Sequence, residues 1–364
     1  MKFRSVFFTL VLNPLLRYSQ CSPLASSSPG GLTYITLEEH YDSQSIRPYE
    51  NNETLFGDLL VANGGADVLE PLLRNITGAR LDSMNNNSIR IQVVSNNPDP
   101  DALFNPKLVS QANADLASAI KPYPSRFRAM CFLPMGNPSA AAAELKSCVQ
   151  KYHFVGALID AHLPNGTGYS SSAYDSFWSM AEKLDVPIYL HPTYPQLREL
   201  DSSNGIFAPD AGSYSDLVTA VVSTIGWGWH ADTGLQFVKL WLSGVFDRHP
   251  SVKIVLGHMG EMVPFQLARI EATLGRQKMQ GIGIRDAWNK NVWVTTSGMF
   301  SLDPMATLLR VTSVDKIMYS VDYPWGKNDY GTAFMTALKT SGMVNETGWE
   351  MIAYKNSDNL LRLN

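Results

Sequence analysis

Eight short apolar, β-branched runs recur along the chain, each followed by residues with helical spacing, and this rhythm limits the fold more than any other feature. The runs are "YITLEE" (34–39), "IRIQVVS" (89–95), "FRAMCFLP" (127–134), "VGALID" (155–160), "VPIYLH" (186–191), "VKIVLGH" (252–258), "NVWVTTS" (291–297) and "KIMYSVD" (316–322). Most are apolar at nearly every position, as strands covered on both faces of a parallel sheet are. Helical segments such as "PSAAAAELKSCVQKY" and "TGLQFVKLWLSGVF" lie between them. Eight strand-then-helix units predict an α/β fold of the (β/α)8 TIM-barrel type. The competing open, doubly wound sheet needs a glycine-rich phosphate turn after its first strand, and "LEEHYDSQ" has no glycine. Segments 41–88 and 192–235 exceed what a crossover requires. They follow the first and fifth strands, so they are expected over the barrel mouth as lids or subunit contacts.

The first residues read as an address. Lys2 and Arg4 precede the apolar run 6–12, and Ser19 and Cys21 supply small residues suited to a cleavage site. Residues 1–21 are therefore expected to be a signal peptide, 22–32 a Ser/Pro/Gly linker, and 33–364 the barrel domain. The apolar run is too short to span a bilayer. Five N-x-S/T acceptors, at Asn52, Asn75, Asn86, Asn165 and Asn345, agree with secretion or the secretory pathway, the alternative being a cytoplasmic protein. Loss of Cys21 with the leader leaves Cys131 and Cys148, expected as two buried thiols rather than a disulfide, with no metal built on them.

A chain with 45% hydrophobic and 17% charged residues buries a large core. Its net charge of -4, with no Lys/Arg run, leaves no footprint for nucleic acid or a membrane surface, so a small molecule is the expected partner.

A barrel gathers the C-terminal ends of its strands on one face, where polar residues distant in sequence meet. The first run offers Glu38 and His40 on one side, because strand side chains alternate, with Glu39 directed to the helices and a basic or backbone partner. The fifth run ends in His191, the sixth in His258 and the eighth in Asp322. Any one of these alone is ordinarily a structural group or a turn cap. Together, Glu38, His40, His191 and Asp322 form a mixed N/O donor set suited to one divalent ion such as Mn, Zn or Mg. His258 and Glu261, three apart, either close a turn or serve as an acid–base pair on the same face; the face favours the second. His153 and His249 precede strands, at the other face.

The motifs "TLEEH", "YLHPTYP", "GHMGEMVPFQLARI" and "YSVDYPW", in this order, resemble those of the amidohydrolase-superfamily decarboxylases related to aminocarboxymuconate-semialdehyde decarboxylase. The Glu-x-His start is most similar to the 2,3-dihydroxybenzoate and γ-resorcylate decarboxylases. The likeness extends from about Thr33 to the C-terminus. It implies a barrel of the metal-dependent hydrolase type in which Glu38, His40, His191 and Asp322 hold the metal. It implies that His258 and Glu261 act as acid and base, that Arg269 meets an anionic substrate, and that the protein is a homo-dimer or tetramer. The chain departs from the pattern at Asp160 and His162 in "LIDAHLPNG", and at His230 in "GWGWHADTG". Nothing in their spacing ties the two histidines to the metal.

Such a site suits a small aromatic carboxylic acid with an ortho hydroxyl. One cation holds carboxylate and phenolic oxygen together, a proton enters the ring carbon, and CO2 leaves. Asp322 is the expected proton donor, with His258 as shuttle. A one-metal hydrolase or lactonase is the alternative enzyme, in which Asp322 deprotonates a metal-bound water. Two-metal hydrolases often use a bridging lysine on strand four, and "VGALIDAHLPNG" has none. A catalytically silent secreted barrel is the remaining alternative, but it has no reason to keep costly carboxylates converging at a barrel mouth.

Overall fold

A computed structural model of the chain describes residues 33–46, 65–97, 99, 102–195, 199, 205–210, 213–278 and 280–363. The expected leader, the linker and Asn52 lie outside the described residues.

All eight runs form strands: β1 (Tyr34–Tyr41), β2 (Ile89–Asn96), β3 (Phe127–Cys131), β4 (Gly156–Asp160), β5 (Pro187–His191), β6 (Lys253–Leu256), β7 (Val292–Thr295) and β8 (Ile317–Met318). They pair in parallel in chain order, β1 through β8. The ends of this curved sheet meet where Leu37 N–H donates to Ser320 Oγ at 3.2 Å and His40 N–H donates to the Tyr323 carbonyl at 2.7 Å. The expected (β/α)8 barrel is the observed architecture.

Several strand limits differ from expectation, and two of them bear on the site. β1 runs on through Tyr41, whereas β8 keeps its ladder only to Met318, so Asp322 sits on a loop beyond it. Asp322 itself has φ 69°, a left-handed conformation that no regular strand accommodates.

Side chains from every strand fill the lumen, among them Ile35, Leu37, Leu158, Tyr189, Val255 and Met318. A larger apolar layer, including the fully buried Trp178, Trp241 and Trp288, lies between the strands and the surrounding helices. The helix Pro138–Tyr152 shows how sequence builds that layer. Asn137 caps it by accepting from Ala140 N–H, Pro138 occupies the first turn, and His153 ends it at φ 58°. Ala141, Leu145 and Cys148 form its buried face.

That face also overturns the expectation of two free thiols. It packs Cys148 onto the end of β3, with Cα atoms 6.0 Å apart, and Cys131 and Cys148 form a disulfide. The spacing along each element was visible in the sequence; the facing of strand and helix was not.

The long connections carry structure of their own. Helices Ala66–Leu73 and Ala79–Asn86 lie between β1 and β2, and helices Asp216–Ser223 and Gly228–Leu242 between β5 and β6. No helix among the described residues is long and apolar enough to cross a membrane. His249 is buried and pairs with Asp175 and Glu182, a structural role as expected.

Candidate metal centre and its acid–base neighbours

The site begins with an irregularity in β1. Ile35 and Leu37 face the lumen, so strict alternation would send Glu39 rather than Glu38 to the mouth. The ladder with β2 slips between Thr36, which pairs with Gln92, and Glu39, which pairs with Val94, leaving one extra residue in β1. Glu38 absorbs it with φ 61°. This bulge reverses the parity of the strand, turning Glu38 and His40 inward and Glu39 outward.

Glu38, His40 and His191 each present a ligand atom, all within 4.8 Å of one another. Glu38 Oε1 lies 3.5 Å from His191 Nε2, and Asp322 Oδ1 lies 3.0 Å from His40 Nε2. The four expected ligands therefore meet. Glu38 Oε1 is buried without a hydrogen-bond partner, as a ligand atom awaiting a cation would be, and His40 turns its Nε2 to Asp322. His191 Nδ1 lies 2.7 Å from the Pro192 carbonyl, which can only accept, so this nitrogen carries the proton and Nε2 keeps its lone pair toward the site. Burial and the neighbouring His40 lower the His191 pKa to about 3, which leaves the ring neutral and able to ligate. Burial pushes Glu38 up to about 8 despite hydrogen bonds from Tyr189 and Ser297. A bound cation would reverse that shift. Two carboxylates and two imidazoles, with no thiolate among them, fit one divalent ion.

His258 and Glu261 stand in a turn of unusual hand. Residues His258, Met259, Gly260, Glu261 and Met262 all have positive φ, between 47° and 89°. The turn is left-handed and only then gives way to the ordinary helix Val263–Leu274. Left-handed backbone costs about 1–2 kcal/mol per non-glycine residue, so this geometry persists because its surroundings enforce it. It brings His258 Nδ1 within 2.6 Å of Glu261 Oε1 and leaves His258 Nε2 at 3.7 Å from Asp322 Oδ2 and 3.9 Å from Glu38 Oε1.

The other oxygen of Glu261 is held by His230 Nδ1 at 2.8 Å. The reading that left His230 out of the site is corrected: its helix, Gly228–Leu242, places it against Glu261. Burial opposes ionisation of Glu261, but the two histidines win and lower its pKa to about 2. Burial likewise opposes the charged form of His258, yet Glu261 and Glu38 raise its pKa well above the ordinary value. Asp322, although buried, is held at about 2 by its contacts with His258 and His40. In this arrangement the stored proton belongs to His258, not to Asp322.

Glu39 found the partners expected of it on the opposite side. Its carboxylate accepts from Val321 N–H at 3.2 Å and Tyr323 N–H at 2.9 Å. The buried Arg80 completes this layer by donating to the His40 carbonyl at 2.6 Å.

Arg269 is not brought to the site. It is exposed on the helix Val263–Leu274, and none of the site's hydrogen bonds or ion pairs reaches it. His162 pairs with Asp232 at 3.0 Å and stays outside the ligand set, as expected. Tyr189, which donates to Glu38 Oε2, was missed, although its position two residues before His191 gives it the same facing and was a usable signal. His230 carried no such signal, because its partner Glu261 lies 31 residues away on another element.

Comparison with known proteins agrees with this geometry. The family model described as amidohydrolase matches residues 101–340. The decarboxylase orsB of Emericella nidulans is 40% identical over 334 residues, covering 90% of this chain and 97% of the relative. A γ-resorcylate decarboxylase of a Polaromonas species is 30% identical over 347 residues, covering 91% and 98%. A dihydroxybenzoic acid decarboxylase of Polaromonas, solved with manganese and the inhibitor 2-nitroresorcinol, superposes with a TM-score of 0.78 at 28% identity, covering 91% of this chain and 97% of that one. A 2,6-dihydroxybenzoate decarboxylase in complex with 2,6-dihydroxybenzoate gives a TM-score of 0.77 at 28% identity, covering 91% and 99%. The chain belongs to the amidohydrolase family, within its metal-dependent decarboxylase branch.

Proposed function

We propose that the protein is a non-oxidative decarboxylase, a carboxy-lyase, acting on an ortho-hydroxylated aromatic acid of the 2-hydroxybenzoate class. The observation that carries this reading is the meeting of Glu38, His40, His191 and Asp322 beside the buried, hydrogen-bonded pair His258 and Glu261. Those four residues would hold one divalent ion. Manganese is the first choice, since the donor set has no thiolate and the Polaromonas relative binds manganese. When bound, the ion supplies a positive centre for the substrate carboxylate and the adjoining phenolic oxygen.

The chain's own residues manage the proton. Glu261, gripped by His230, fixes the His258 ring and keeps it charged. His258 gives up its Nε2 proton through Asp322, which passes it to the ring carbon bearing the carboxylate. A C–H bond forms there, the electron pair of the C–C bond returns to the ring, and CO2 departs. Solvent then restores the proton on His258. β4 ends in Asp160 and carries no lysine to bridge two metals, which weighs against a two-metal hydrolase and leaves the one-metal hydrolase as the alternative to test. The test is a panel of hydroxybenzoates and aryl lactones incubated with metal-loaded protein, followed by ultraviolet spectra and CO2 release. Hydrolysis of a lactone without CO2 from any acid would reverse the assignment.

Two further properties belong to this reading. The protein enters the secretory pathway and is glycosylated: Asn75, Asn86, Asn165 and Asn345 are all exposed, and the Cys131–Cys148 disulfide suits an oxidising compartment. It is also a homo-oligomer, a dimer or tetramer, because Phe265, Trp227, Ile206 and Leu235 leave apolar surface exposed on the segments after β5 and β6. Mass analysis of the expressed protein before and after deglycosylation, and light scattering, test the two points.

A further inference from the structure

Beside the ligand set stands a carboxyl group that the reaction described above does not use. In the β4–β5 ladder Leu158 pairs with Tyr189 and Asp160 with His191. Leu158 and Tyr189 both face the lumen, so two residues farther along Asp160 and His191 emerge on that same face at the mouth. Adjacent strands lie about 4.8 Å apart, which puts Asp160 next to a metal ligand.

Asp160 is 1% exposed, and neither of its carboxylate oxygens has a hydrogen-bond partner. His162, which acts on it electrostatically, has both ring nitrogens engaged elsewhere, Nδ1 with the Leu163 carbonyl at 2.6 Å and Nε2 with Asp232 at 3.0 Å. The Tyr169 hydroxyl, also electrostatically coupled to Asp160, is buried without a partner as well. Native proteins pair nearly all such groups, so two free acceptors on one buried carboxyl, at the edge of a substrate site, ask for a ligand donor. In the proposed reading the substrate carboxylate goes to the metal site, so the group left to meet Asp160 is a ring hydroxyl, which donates to either protonation state of its carboxyl.

We infer that Asp160 is a specificity-determining residue that accepts a hydrogen bond from a second hydroxyl on the aromatic ring, beyond the one ortho to the carboxylate. The inference rests on the proposed decarboxylase reading and names the substrate feature that reading leaves open. A ring lacking this hydroxyl would strand the Asp160 carboxyl in a dry pocket and bind correspondingly less well.

Calorimetry on the full-length, metal-loaded protein tests it with nitro compounds that mimic the acids but do not react. These are 2-nitrophenol with one hydroxyl, and 2-nitroresorcinol and 4-nitroresorcinol with two. The expected result is that at least one nitroresorcinol binds about tenfold tighter than 2-nitrophenol, the worth of one well-made hydrogen bond. In Asp160→Leu this preference should vanish while 2-nitrophenol binding holds. Asp160→Asn, which keeps one acceptor oxygen, should retain part of the preference and serves if the leucine variant fails to fold. Equal binding of all three compounds to the wild-type protein overturns the role of Asp160 and leaves the decarboxylase reading intact, as does a preference unchanged in both variants. No binding of any of them to protein shown to hold its metal overturns the decarboxylase reading and this inference with it.

Discussion

Glu39 holds Asp322 in place without touching it: its two carboxylate oxygens accept the backbone N–H groups of Val321 and Tyr323, the residues on either side of Asp322. Asp322 needs such support because its backbone is left-handed at φ 69° and lies beyond the last ladder pair of β8. One strand thus supplies both a ligand, Glu38, and the clamp on another.

A first prediction follows for Glu39→Gln, which preserves shape but replaces one acceptor oxygen with a donor that faces an N–H. The Asp322 loop should loosen, and metal affinity or kcat/KM should fall about 10–100-fold, the usual cost of losing a group that orients a metal ligand. Chelator competition measures the affinity, and steady-state kinetics at saturating metal separates it from turnover.

Gly257→Ala should be more damaging than its size suggests. A Cβ at this position would come within 2.9 Å of both Glu38 Oε2 and the Tyr189 hydroxyl, two buried groups that cannot move aside together. The variant should fold, lose its metal and lose activity. Elemental analysis of purified protein is the check, and a variant with full metal content would show that Glu38 is not held where the site requires it.

The pH profile has a definite sign. His258 has a raised pKa, so its proton, and the stability from its pairing, is present below the ordinary histidine value and lost as pH rises through the raised one. Activity should therefore fall on the alkaline side as His258 discharges. Glu261→Gln removes the anion responsible, so the alkaline limb should move to lower pH and kcat should drop about 10²–10⁴-fold. A limb that stays in place in this variant would assign the proton to another group.

Reduction of Cys131–Cys148, or Cys148→Ser, should leave the site's metal affinity unchanged while lowering stability. The bridge closes a loop of 17 residues, and loops near that length are worth about 3 kcal/mol. Denaturant titration with and without reductant measures the difference.

The barrel was legible because continuous apolar runs and helical periods are properties of short windows, and eight of them leave few alternatives. The four ligands were legible for a related reason: Glu38, His40, His191 and Asp322 stand at the ends of such runs, although β8 keeps its ladder only to Met318 and Asp322 follows on a loop. What stayed hidden depends on contacts between windows. His230 meets Glu261 across 31 residues, and the pairing of Cys131 with Cys148 required knowing which face of a helix met which strand. Arg269 shows the converse, a residue with the right chemistry in the right motif that the fold of one chain leaves at the surface.

The bulge in β1 works like a shift of reading frame within a strand. Below it, odd-numbered positions such as Ile35 and Leu37 serve the scaffold; above it, even-numbered Glu38 and His40 serve the chemistry. The two halves can therefore vary independently, so exchanging Ile35 for another branched aliphatic residue should be tolerated. Deleting Leu37 would remove the extra residue and, by simple alternation, still leave Glu38 and His40 facing inward, so the chemistry would outlast the loss of one scaffold side chain.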